Sequence, residues 1–112
     1  MKITNRRAYY DYEILDKFEA GIVLTGPEVK SVKQGKIKLE GSFVKLINSE
    51  AFLINSHIHP YQFADNRDYQ PTRTRKLLLH KDEIQSLTTK ITPSGLTVIP
   101  LSCYNKGRVI KL

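Results

Sequence analysis

Tryptophan is absent from this 112-residue chain, and cysteine occurs once, as Cys103. A lone cysteine excludes an intrachain disulfide. It sits in the apolar run LTVIPLSCY, where a thiol serves as a small core filler. No apolar run approaches the ~18 residues of a spanning helix, and the opening MKITNRRAYY has no signal-peptide core. A cytoplasmic protein with no membrane association is therefore expected. Aromatic residues make up only 9% of the chain, which argues against broad stacking platforms for single strands. There is no Gly-rich phosphate loop, nucleophile elbow or Cys/His/Asn arrangement. Acidic side chains are scarce too. Asp65, Asp68, Asp82 and Glu83 fall where a loop or a helix's first turn normally places them, so no acid/base pair stands out. His57 and His59 are spaced to share one strand face. A third ligand would have to be His80, Cys103 or a carboxylate, none at a zinc-like spacing. Neither metal, cofactor nor catalysis is expected, and a metal-dependent hydrolase built on the two histidines is the weakest reading.

What the chain has in excess is positive charge. Eighteen Lys and Arg against eleven Asp and Glu give a formal charge of +7. That points to an anionic partner such as nucleic acid, an acidic membrane surface or an acidic protein, with simple solubility as the bland alternative. The length suits one domain, residues 1–112, with one core.

Hydrophobic periodicity gives the organisation. In AYYDYEIL, Tyr10, Tyr12 and Ile14 alternate with polar neighbours, which predicts extended structure over residues 8–24 with a bend near AGIVL. TGPEVKSVKQG predicts a short helix: Thr25 and Glu28 make a capping box, Pro27 falls in the first turn and Gly35 stops it. Such a helix packs its valines and shows its lysines. SFVKLIN and AFLINSHI predict a hairpin turning at Asn48. PYQFADNRDYQPT reads as a mobile, irregular loop. KDEIQSLTTKI places Ile84, Leu87 and Ile91 on one helical stripe, ended by TPSG. LTVIPLSCY reads as a buried strand with Pro100 at an edge or bulge, and GRVIKL as a last strand after a tight turn. About six strands with two to three short helices, mostly consecutive and antiparallel, predict a mainly β protein with a closed or nearly closed barrel.

The stretch RTRKLLLHK sets leucines among cations. In a strand, Leu77 and Leu79 fall on one face and Lys76, Leu78 and His80 on the other. Two leucines then enter the core, while Leu78 stands outside between cations and fits against a nucleotide whose phosphates the cations take. An early start to the next helix would instead bury all three. Arg73 and Arg75 extend the positive run. Lys30, Lys33, Lys36 and Lys38 form a second patch, which alone reads as a solvated face. Asn5, Arg6 and Arg7 form a third, next to tyrosines.

NRRA, YEILDKFEAGIVLTGPEVKSVKQGK, RTRKLLLHKDEI and GLTVIPLSCY, in unbroken order from Asn5 to the C-terminus, resemble the SsrA-binding protein (small protein B) family of bacterial trans-translation. The resemblance implies a six-stranded oligonucleotide-binding (OB) barrel with about three helices, and no enzymatic activity. It implies binding to the tRNA-like domain of transfer-messenger RNA (tmRNA), at the elbow, and delivery of that RNA to stalled ribosomes. Contact with elongation factor Tu and alanyl-tRNA synthetase would be indirect, through the RNA, and the protein a monomer. Asn5, Glu19 and Leu78 match family positions tied to RNA binding. An acid such as Glu19 suits ribose hydroxyls or base amines rather than phosphate. The electrostatic candidates are Arg6, Arg7, Lys30, Lys33, Arg73, Arg75, Lys76 and His80. Tyr9 and Tyr10 stand where the family often has Arg-His, and the family's basic residue of the last strand falls at Ile110 or Lys111. The family's basic C-terminal tail finds no match here, so impaired tagging is expected. A general single-strand-binding module is the alternative.

Overall fold

The computed structural model describes residues 1–94 and 96–112. Among them are nine strands: β1 (Lys2–Thr4), β2 (Gly21–Ile22), β3 (Ile37–Lys38), β4 (Phe43–Ile47), β5 (Glu50–Ile54), β6 (His57–Ile58), β7 (Arg75–Leu78), β8 (Ser102–Lys106) and β9 (Val109–Lys111). Three helices accompany them: α1 (Arg6–Asp11), α2 (Gly26–Lys33) and α3 (Lys81–Ser94). Seven strands form one antiparallel sheet in the order β1-β8-β9-β2-β7-β5-β4, and β3 and β6 pair separately. The protein is thus mainly β with three helices. The expected six strands become nine because β1 and β3, three and two residues long, are too short to leave a periodic signal, and the run AFLINSHI divides into β5 and β6. The sheet order has two ends, β1 and β4. Among the described residues, the isolated bridge Val44–Val98 ties β4 toward the segment that leads into β8.

Local chemistry explains most elements. Asn48 (φ 49°) and Ser49 (φ 63°) both adopt the left-handed conformation that a two-residue hairpin turn requires, joining β4 to β5 as predicted. At α2, Thr25 accepts from the Glu28 N–H (3.3 Å) and Glu28 accepts from the Thr25 N–H (3.0 Å), so both arms of the capping box form. α3 buries Ile84 and Leu87. It continues to Ser94, past the predicted stop, and the glycine of TPSG lies outside the described residues.

Two expectations fail. Of residues 8–24, read as extended, 8–11 belong to the helix Arg6–Asp11 and only Gly21–Ile22 forms a strand. Asn5 caps it, only Ala8 is buried, and Tyr10 is 91% exposed, so the tyrosine alternation marks no sheet face. The run from Leu96 to Leu101 contributes one bridge at Val98 and not a strand, with Pro100 buried and lacking a donor for a ladder. The loop after β6 is irregular as expected, but its own hydrogen bonds pin it, as described below.

The core lies on the inner face of the large sheet. Val32 of α2 packs with Ile37, Leu39, Ile58, Cys103 and Ile110, and Ala20, Ala51, Leu53 and Leu77 form a second cluster. Burial pushes the Cys103 thiol up to about 11, so it remains a protonated filler at neutral pH. No described helix is long and apolar enough to cross a membrane.

Candidate nucleic-acid interface

Strand β7 is the reference for the site. Arg75 and Leu77 are buried, whereas Lys76 and Leu78 are exposed, Leu78 by 56%. The alternation predicted for RKLL therefore holds, with Leu78 outside. Leu79, past the strand, is half-buried, and His80 is exposed with its N–H donating to Glu83 Oε1 at 3.1 Å.

Register extends this face across the sheet, because directly opposed residues on neighbouring strands point the same way. Leu78 opposes Gly21, Gly21 opposes Lys111, Lys111 opposes Tyr104 and Tyr104 opposes Lys2. These residues form one row over five strands, roughly 19 Å long at the usual strand spacing. Gly21 suits its place in that row. A Cβ there would meet the Leu78 Cβ at 3.2 Å, so glycine lets the Leu78 side chain lie across β2. A second row runs from Lys76 to Phe52 to Lys45. Leucine, tyrosine and phenylalanine are thus interleaved with Lys2, Lys45, Lys76 and Lys111 on one outer surface. Such a mixture supplies apolar contact for sugars and bases together with counter-charge for phosphates. Among the described residues Lys76 has one loose ion-pair partner, Glu50, at 3.8 Å.

Glu19 sits at the end of this surface. It accepts a hydrogen bond from the Tyr104 hydroxyl and lies 3.5 Å from Lys106 Nζ. The Tyr104 bond, with help from Lys106 and Lys111, lowers its pKa, so it is an oriented carboxylate and a ready acceptor. Ile110 is buried and Lys111 occupies the outer row. Alternation in GRVIKL carries that signal. Lys2, Lys45 and Tyr104 could not be found in this way, since their membership depends on pairing register between distant strands.

The remaining sequence candidates go elsewhere. Arg75 requires correction, because it is 0% exposed and cannot meet an external anion. Its guanidinium binds Glu28 Oε2 through Nε (2.9 Å) and Nη2 (2.6 Å), and also reaches Ser56, Pro71, the Arg73 carbonyl and the Tyr69 hydroxyl. Arg73 is committed to the same carboxylate, with Nε at 3.1 Å from Oε2 and Nη2 on Oε1. Burial acts to raise the Glu28 pKa, but bonds from Arg73, the Thr25 N–H and Arg75 prevail and hold it at about 2. These two arginines pin the loop and β7 to α2, and the positive run of RTRKLLLHK is half spent inside the protein.

Asn5 is also internal, at 5% exposure. Its Oδ1 accepts from the Ala8 N–H (3.3 Å), and Nδ2 donates to the Pro100 (2.9 Å) and Leu39 (3.5 Å) carbonyls. It positions α1, and with it the exposed Arg6 and Arg7, rather than offering its own amide. Asn5→Ala loses the cap and leaves the Pro100 carbonyl unpaired, at a cost of about 1–3 kcal/mol. A urea titration should show that loss as a lower midpoint, and an unchanged midpoint would contradict the role. Arg7 is paired with Asp11 at 3.1 Å. Lys30 and Lys33 are exposed on α2, whose buried side covers the inner face of the sheet, so they point away from the Leu78 row. Among the described residues no group of three His, Cys, Asp or Glu could hold a metal.

The family model described as SmpB protein matches residues 2–112. The SsrA-binding protein of Carboxydothermus hydrogenoformans is 48% identical over 108 residues, covering 96% of this chain and 72% of the relative. That of Geotalea uraniireducens is 51% identical over 108 residues, with the same coverage. A solved structure described as "tmRNA-SmpB: a journey to the center of the bacterial ribosome" superposes with a TM-score of 0.79 at 45% identity, covering 98% of this chain and 78% of that one.

Proposed function

Because the chain belongs to the SmpB family, we propose that it binds tmRNA in trans-translation and helps bring that RNA to stalled ribosomes. The carrying observation is the outer row from Leu78 through Gly21, Lys111 and Tyr104 to Lys2, with Lys76 and Lys45 in the row beside it. That surface combines four lysines, an apolar contact and the oriented Glu19 acceptor, which suits a folded RNA that presents both backbone and riboses. The tRNA-like domain of tmRNA is the RNA feature we assign to it. The relatives' name and the likeness to a tmRNA–SmpB structure support this reading.

We read residues 1–112 as one barrel-type domain, its sheet ends drawn together by the Val44–Val98 bridge, acting as a monomeric adaptor in the cytoplasm and not as an enzyme. Elongation factor Tu and alanyl-tRNA synthetase then meet the protein only through the shared RNA. A competition experiment tests the central claim. The tRNA-like domain of tmRNA should displace a labelled copy of itself at far lower concentration than ordinary tRNA or unstructured RNA of equal length. Equal competition by unstructured RNA would replace this reading with that of a general single-strand binder.

A further inference from the structure

The loop after β6 carries an exposed phenylalanine that plays no part in the Leu78 surface. Phe63 is 78% exposed, while Phe18, Phe43 and Phe52 are all at least half-buried. It stands on a turn fixed by its own hydrogen bonds. Asn66 Nδ2 donates to the Tyr61 (2.7 Å) and Ala64 (3.1 Å) carbonyls, and the Ala64 N–H donates to the Tyr61 carbonyl at 3.1 Å. The Tyr61 and Phe63 rings meet edge-to-face, with centroids 5.5 Å apart and planes at 73°. An edge-to-face pair fixes ring orientation without stacking the two faces on each other. The Phe63 ring is therefore held in place and open to solvent.

A cation lies over its partner ring. Lys30 Nζ is 5.5 Å from the Tyr61 ring centroid, and Lys33 follows one helical step along α2. Among the described residues neither lysine has an ion-pair partner. Of the nearby acids, Asp65 is neutralised by Arg67 at 2.8 Å, and Asp68 is exposed further along the loop. A lone exposed phenylalanine means little. A preorganised aromatic pair with Lys30 over the Tyr61 ring and Lys33 one turn on along the same helix, neither in an ion pair among the described residues, is a different matter, since it joins a stacking face to phosphate counter-charge.

We propose that the Tyr61–Phe63 turn, with Lys30 and Lys33, is a stacking site for unpaired nucleotides of single-stranded RNA, separate from the Leu78 surface. The proposal rests on the RNA-binding reading for its ligand class but uses residues that the outer row does not. A base stacks on Phe63 and its backbone runs toward α2, where the lysines take phosphates. Preorganisation matters because a ring already fixed loses little freedom on binding.

The test measures a fluorescein-labelled short oligoadenylate against the full chain by anisotropy, with and without saturating tRNA-like RNA. Phe63→Ala should weaken oligoadenylate binding about ten-fold, and Phe63→Trp should restore it. Lys30→Gln should weaken it and reduce the salt dependence by about one phosphate contact. Leu78→Ala should leave it unchanged, and saturating tRNA-like RNA should not displace it. No measurable binding by the unmodified chain, equal binding by Phe63→Ala, or displacement by tRNA-like RNA would each overturn the site. Failure of the tRNA-like RNA itself to bind, with the oligoadenylate pattern intact, would instead sink the function proposed above and leave this site standing.

Discussion

Replacing Glu28 by alanine is expected to destabilise the protein by about 3–5 kcal/mol, the usual cost of stripping one partner from a buried ion pair. Arg75, at 0% exposure, would keep its charge while losing both bonds to the carboxylate. Arg73 and the Tyr69 hydroxyl would lose the same acceptor, and α2 would lose one arm of its capping box. A single domain is stable by only about 5–15 kcal/mol, so this change alone takes a large share. Glu28→Gln separates charge from shape. Glutamine can still accept from the Thr25 N–H, but it leaves the guanidinium uncompensated. Its midpoint in urea should fall between those of the parent and Glu28→Ala. The same carboxylate sets an acid limit. Its pKa falls from an ordinary 4.5 to about 2 on folding, so its contribution is complete above pH 4.5 and drains away as pH drops toward 2. That shift corresponds to about 3 kcal/mol. Urea midpoints measured from pH 5 down to pH 2 should decline more steeply in the parent than in Glu28→Gln. Parallel declines would mean that Glu28 does not carry the acid sensitivity.

How much of this was legible in the sequence depends on the range of the interaction. The α2 capping box, the hairpin at Asn48 and Ser49 and the in-out pattern of RKLL are local, and local rules find them. The Glu28 hub is not local. Arg73 and Arg75 lie 45 and 47 residues from Glu28, and nothing in RTRKLLLHK distinguishes an arginine buried on a carboxylate from one facing solvent. Alternation nevertheless held a clue: if Leu77 points inward, so does Arg75, and a buried arginine must have a partner. The exposed row has the same long-range character. Lys2 and Lys111 become neighbours of Leu78 only after β1, β8, β9, β2 and β7 pair in one register. Three tyrosines imitate a strand over the helix Arg6–Asp11, and nothing local distinguishes Asn5 as the cap of that helix from a polar residue offered to a ligand.

Two substitutions on the outer face should lose RNA affinity for different reasons, and salt separates them. Leu78 carries no charge and lies 56% exposed across Gly21. Leu78→Ala should weaken binding of the tRNA-like domain about ten-fold through lost apolar contact. The slope of log affinity against log salt should stay the same. Leu78→Lys sharpens the point: a purely electrostatic surface would bind better with one more cation, whereas a surface that needs an apolar contact at this position binds worse. Lys76→Gln combined with Lys111→Gln should reduce the slope by nearly two contacts and lower affinity about twenty-fold near physiological salt. Both lysines are side chains on the outer face, so urea midpoints should barely move, and reduced binding can be read as reduced contact. If the lysine pair leaves the slope intact while Leu78→Lys improves affinity, the RNA does not lie along this row, and the two lysines beside Phe63 become the better account of the chain's positive charge.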